Sequence, residues 1–324
     1  MVSACANANS ADSSAKEVVP VYAPGSGGAG YLFASGISNL LNGSSEFPDV
    51  QFNAESIPSS IEMIQLVIER HEQGRDAVAL VSSDSVYDVY NGQHPLVEGE
   101  HHELQAIGYL YGAEVYMVTG KDSKIASYAD LKGKKVGIGA ANSSVGELQK
   151  RLLKYYGIDE GDYTALPLGY AEVVEGLQNG SIDAGSLAGS TPVAAYNELS
   201  NSREVTILSV EDEIMEQFLQ DYPFYSSKVI PSGSYKGLDH DVQVGVFGSL
   251  VITHSGVDEE TIYRMTKLLL ENNEELKKVH PSAEMTPEMV ANTVGIPFHP
   301  GAVKYFEERG IHYQKGSESS DVGR

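Results

Sequence analysis

Residues 18–41 read VVPVYAPGSGGAGYLFASGISNLL, and their order decides the fold. Val18 to Ala23 is a β-branched run that closes at Pro24. Gly25 to Gly30 then makes a glycine-rich turn, and Tyr31 to Leu41 spaces Leu32, Phe33, Ile37, Leu40 and Leu41 along a helix. The same unit follows at once: a strand over Val50 to Ser56, a helix over Ser59 to Arg70 with Ser59 as its cap, and a strand over Ala77 to Val81. Strands that alternate with helices pair in parallel, so this region is an α/β lobe.

The pattern then restarts. The largely apolar stretch Leu104 to Thr119 ends in a strand at Val115 to Val118. Val136 to Gly139 reads as a strand, Val145 to Tyr156 and Ala171 to Leu177 as helices, Ile182 to Ser186 as a strand and Pro192 to Leu199 as a helix. Val242 to Thr253 is a long apolar strand suited to return to the first lobe, which helices over Glu259 to Val279, Pro287 to Asn292 and Gly301 to Arg309 complete. The expected organisation is a tether over 1–17, lobe I over 18–114 and 246–315, lobe II over 115–245, and a disordered tail over 316–324. Crossings near Gly112 to Gly120 and Val242 to Thr253 join the lobes, with a ligand cleft between them.

Net charge is −23, with 45 acidic residues against 22 lysines and arginines, which repels nucleic acids and anionic membrane surfaces. Cys5 is the only cysteine, so neither a disulfide nor a cysteine-based metal site belongs to the folded body. Val2-Ser3-Ala4-Cys5 has the order of a bacterial lipobox, and the Ala/Asn/Ser-rich run from Ala6 to Lys16 suits a flexible tether. Cys5 is therefore a candidate lipidation site, and membrane contact is expected only through that anchor.

Gly25, Gly27 and Gly30 form a G-x-G-x-x-G pattern between a strand and a helix, where backbone N–H groups can approach an anion. A ligand carboxylate is one such anion. A dinucleotide pyrophosphate is another, with Glu55 near the place where a ribose-binding acid would stand, so a nicotinamide-dependent oxidoreductase is the alternative reading. Three polar loops also follow strands: Ser82-Ser83-Asp84, Asn142-Ser143-Ser144 and Gly189-Ser190-Thr191. Each could simply cap a helix, but four loops, two per lobe, point to a shared site at the strand ends. His101-His102 between Glu100 and Glu103 reads as a solvated turn, and no nucleophile-and-base pair, metal site or cofactor site is expected.

The chain resembles the TAXI family of solute-binding proteins, which serve tripartite ATP-independent periplasmic (TRAP) transporters. The matching segments are Ala23 to Gly28 with Tyr31, Ala79 to Gly92, Ala129 to Val136 leading to Asn142-Ser143-Ser144, Ala171 to Ala184, Tyr222 to Tyr225 with Ile230-Pro231, and Ile296 to Ala302. The resemblance implies a type II periplasmic binding protein, a monomer that delivers a small carboxylate such as glutamate or 2-oxoglutarate to an ion-gradient-driven permease and catalyses nothing. It departs from many family members at Val115 and Tyr116. Other TRAP receptors clamp their ligand with an arginine, yet Arg70, Arg75, Arg151, Arg203, Arg264, Arg309 and Arg324 all lie outside the candidate loops. The expected ligand-binding set is Ser26, Gly27, Gly28, Tyr31, Ser82, Ser83, Asp84, Tyr111, Asn142, Ser143, Ser144, Gly189, Ser190 and Thr191, holding the carboxylate by N–H groups, hydroxyls and helix dipoles. A pyrimidine-precursor synthase shares the fold but needs a lysine or histidine in the cleft, and sequence places none there.

Overall fold

The computed structural model describes residues 16–24, 29–280, 285–290 and 295–313. The tether with Cys5 through residue 15, the loop residues Ser26, Gly27 and Gly28, and the tail over 316–324 lie outside them.

The chain begins β1 (Glu17–Ala23), α1 (Ala29–Gly43), β2 (Val50–Ser56), α2 (Ser60–Glu72), β3 (Val78–Ser82), α3 (Ser83–Tyr90) and the long β4 (Leu104–Gly120). It continues through β5 (Lys135–Gly137), α4 (Ser144–Tyr155), β6 (Thr164–Leu166), α5 (Tyr170–Asn179), β7 (Ala184–Gly189), α6 (Ala194–Ser202), β8 (Val205–Ile207), α7 (Asp212–Asp221) and β9 (Tyr225–Ile230). The return strand β10 (Val242–His254) leads to α8 (Glu259–Glu271), α9 (Asn273–Val279), α10 (Pro287–Val290) and α11 (Pro300–Arg309).

Among the described residues ten strands form one sheet ordered β2-β1-β3-β10-β4-β7-β5-β6, with β8 added to β4 and β9 to β10. β1, β2 and β3 pair in parallel, as do β5, β6 and β7. β3 buries all five residues, the continuous apolar run that a strand covered on both faces requires. Ser59 caps α2 as its position predicts, accepting from the Glu62 N–H.

One large core packs around β1, β3 and the outer halves of β4 and β10, while the inner half of β4 serves two further cores. Side chains alternate across a strand, so Val115 and Met117 enter one core and Tyr116 and Val118 the other. This is the α/β arrangement of two lobes sharing two crossing strands that the sequence predicts.

Several elements differ from expectation. The helix expected over Glu259 to Val279 is two helices that meet at Asn272, whose φ of −117° and ψ of 26° leave the helical region while its N–H and its Nδ2 both donate to the Leu268 carbonyl. α3, β6, α7, β8 and β9 were not expected; α3 begins directly at Ser83, so the loop foreseen there is a first helical turn. α10 is described only to Val290 of an expected Asn292, and residues 291–294 are outside the described set.

The lobes also meet away from the crossing strands. Ser83, fully buried, donates to the Phe224 carbonyl at 2.9 Å and accepts from the Gly248 N–H at 3.0 Å. Arg151 of α4 pairs with Asp88 of α3, and its guanidinium lies 5.0 Å from the Tyr222 ring and 5.3 Å from the Phe224 ring.

His254 ends β10 at 1% exposure. Its Nε2 is 3.0 Å from the Arg75 carbonyl, so Nε2–H donates there and Nδ1 accepts, from the Gly256 N–H and from His71 Nδ1, each at 3.2 Å. Burial pushes the His254 pKa down, as it does that of His299. The unfolded chain then takes up protons below about pH 6.5 that the native state refuses, so native stability falls as pH drops through that value. Thermal melts should show Tm falling from pH 7 to pH 5, with a shallower fall in His254→Gln; an unchanged slope in that variant would remove His254 as a source.

Candidate functional site

The pairing registers locate the site. Ser82, the last residue of β3, pairs with Ser249 of β10, which pairs in turn with Tyr111 of β4. Gly189, the last residue of β7, pairs with Glu114 of β4. β3 runs in the direction of β4, since both are antiparallel to β10, whereas β7 runs against β4. The carboxyl ends of β3 and β7 therefore point toward each other across residues 111–114 of one strand, roughly 10 Å at about 3.3 Å per residue. Ligands of open α/β sheets sit beyond such ends.

Helix starts gather at the same level. α3 follows Ser82 directly, and Ser144, first residue of α4, donates its hydroxyl to Ser82 Oγ at 2.7 Å across the lobes. Ser82 Oγ also lies 3.2 Å from Ser60 Oγ and 2.9 Å from Ser85 Oγ. On the other face, the Tyr111 ring packs 5.2 Å from Phe33 of α1, and its hydroxyl bonds to Ser249. Burial pushes the Tyr111 hydroxyl up, and burial with Tyr111 beside it pushes Tyr170, first residue of α5, up to about 12. Both stay protonated and able to donate. Gly30, the third glycine of the sequence motif, has no room for a side chain, because a Cβ there would meet the Pro24 ring at 2.5 Å.

Of the expected set, Ser82, Ser144 and Tyr111 come together, with Tyr31 half-buried on the first turn of α1. Asp84 is 2% exposed, receives the Tyr225 hydroxyl at 3.4 Å on Oδ2 and leaves Oδ1 without a partner among the described residues. Ser83 spends its hydroxyl inside the protein, as described above. Ser143 caps α4, accepting from the Gly146 N–H at 3.2 Å and donating to the Ala140 carbonyl at 2.7 Å. Asn142 is exposed in the left-handed region at φ 55°, and with Ser143 it borders a cavity of about 290 Å³ reaching Ala165 and Pro167. Ser190 is exposed, whereas Thr191 turns both its N–H, at 3.2 Å, and its hydroxyl onto Glu114.

Glu114, Tyr170, Lys228 and Ser249 also stand near these strand ends, and sequence reasoning singled out none of them. Glu114 is nearly fully buried, with Lys228 Nζ 2.5 Å from Oε1 and Thr191 on Oε2. A carboxylate inside the otherwise apolar run 104–119 was the available signal.

A model of the NMT1-like family matches residues 21–310. Among solved structures, XAC2383 from Xanthomonas citri bound to ATP is 14% identical, with a TM-score of 0.55 over 90% of this chain and 95% of that one. A TctC solute binding protein from Polaromonas, solved with no ligand, is 14% identical, with a TM-score of 0.50 over 93% of this chain and 91% of that one. At these identities the likeness concerns the fold alone.

Two adjacent serines should separate capping from lobe contact. Ser143→Ala should lower stability by about 1 kcal/mol through loss of the cap. Ser144→Ala and Ser82→Ala should couple by roughly 0.5–1.5 kcal/mol in a double-mutant cycle, as one hydrogen bond contributes. Strictly additive melts would mean that the contact between lobes adds nothing to stability.

Proposed function

Because the chain belongs to the NMT1-like family, we propose that it is an extracytoplasmic solute-binding receptor, of the TAXI type that serves TRAP transporters. It captures a small carboxylate, glutamate or 2-oxoglutarate or a close relative, and hands it to an ion-gradient-driven permease without transforming it. The observation that carries this reading is the pair of opposed strand ends, β3 and β7, facing each other across residues 111–114 where two strands cross between lobes. Such a cleft offers hydroxyls and helix starts from both sides, which suits an anion small enough to touch both lobes. We assign lobe I to 18–114 with 246–315 and lobe II to 115–245. We place the lipid anchor at Cys5, so that a monomeric receptor is held at the membrane face by its tether.

Small molecules released by denaturing the purified protein should include a carboxylic acid detectable by mass spectrometry. Glutamate or 2-oxoglutarate added to stripped protein should raise Tm, since a ligand at 100 times its Kd adds about 2.7 kcal/mol. A melt moved by a neutral sugar and by neither acid would overturn the carboxylate reading and leave a receptor of another class. Steady turnover of any cleft ligand would overturn the receptor.

A further inference from the structure

We infer that Lys228 is the cationic anchor of the cleft, held in place by buried Glu114 and presenting its remaining N–H groups to a carboxylate of the ligand. This rests on the receptor reading above and replaces a site made only of neutral donors with one that contains a formal positive charge.

Position comes first. Glu114 stands opposite Gly189 at the carboxyl end of β7 and three residues along β4 from Tyr111, which shares a register line with the end of β3. The Glu114 side chain leaves β4 on the Tyr116 face, opposite that of Tyr111, at the level where β7 ends and the Gly189-Ser190-Thr191 loop begins, and the Lys228 ammonium stands 2.5 Å from its carboxylate. Lys228 arrives from β9, whose residues Ser226, Ser227, Lys228 and Val229 are exposed.

Chemistry comes second. The Glu114 side chain is 2% exposed and that of Lys228 is 55% exposed, so one partner is desolvated and the other is open. Burying a carboxylate costs several kcal/mol, and a buried pair is seldom a better stabiliser than apolar residues of the same size. The arrangement makes sense if the charge has a second use. Glu114 Oε2 is saturated by the N–H and hydroxyl of Thr191, leaving Oε1 for Lys228. An ammonium has three N–H groups, and among the described residues Glu114 is the acceptor that takes one. The other two are free to meet an anion with charge-assisted bonds. Thr191 is then a positioning residue: it fixes Glu114 and touches the ligand through neither of its donors.

The test uses the full chain and titrates glutamate and 2-oxoglutarate by calorimetry into the wild type and into Lys228→Gln, Lys228→Arg and Glu114→Gln/Lys228→Gln. The double variant has no uncompensated buried charge, so it guards against a fold lost through an orphaned Glu114. Expected are at least tenfold weaker binding of the preferred acid in Lys228→Gln and in the double variant, and affinity within a few-fold of wild type in Lys228→Arg. Wild-type affinity in both glutamine variants would overturn the anchor and leave the carboxylate receptor standing. Failure of the wild type itself to bind either acid would bring down the carboxylate reading and the anchor together.

Discussion

Everything in this molecule is placed by the antiparallel pairing of β4 with β10, ten residue pairs from Gly245 with Val115 to His254 with Leu104. Both strands are long enough to belong to both lobes. Their outer halves receive β3 and the large core, and the inner half of β4 receives β7 and β8. Because β3 and β7 attach to the same pair of strands in opposite directions, their carboxyl ends are forced to confront each other. The cleft is thus a consequence of sheet register, and a one-residue slip would turn Glu114 from the face of Tyr116 to that of Val115.

A second tie constrains the first. Arg151 and Asp88 join α4 to α3 under the rings of Tyr222 and Phe224, and Ser83 spans from the start of α3 to Phe224 and Gly248. Asp84 Oδ1 and Arg151 Nη1 are buried there without partners among the described residues. Removing one member of a buried pair costs about 3–5 kcal/mol, more than a solvated pair of the same geometry would. The lobes are therefore fastened on the α3–α4 side.

What was legible in the sequence was whatever depends on local apolar rhythm. β1, β2, β3 and β10 announce themselves by β-branched runs, and α1, α2, α4 and α11 by helical spacing. β9 was invisible because an edge strand with four consecutive exposed residues, Ser226 to Val229, needs no apolar alternation. α3 was hidden because SDSVYDVY is rich in residues that helices do not favour, and its tertiary contacts through Ser83 and Asp88 decide the matter. The polar loops at strand ends were readable, but whether their hydroxyls are free was not. Ser143, Ser83 and Thr191 spend theirs on Gly146, Phe224 and Glu114. Arginines are absent from the polar loops, whereas Lys228 lies on β9 and acquires its place through Glu114, 114 residues away.

The charge of −23 and an anionic ligand are compatible on these terms. Exposed charges act through solvent with a screening length of about 8 Å at physiological salt, so the distributed acidic surface slows encounter more than it weakens contact. Within the cleft the relevant charges are few and close. Glu114 is neutralised where it stands by Lys228 and Thr191, and Asp88 by Arg151, so neither presents a bare negative charge to an incoming acid. Donors near the strand ends are the Tyr111 and Tyr170 hydroxyls, both protonated, together with the start of α4. An ammonium held beside Glu114 acts at contact distance, whereas the 45 carboxylates spread over the chain act through screening solvent.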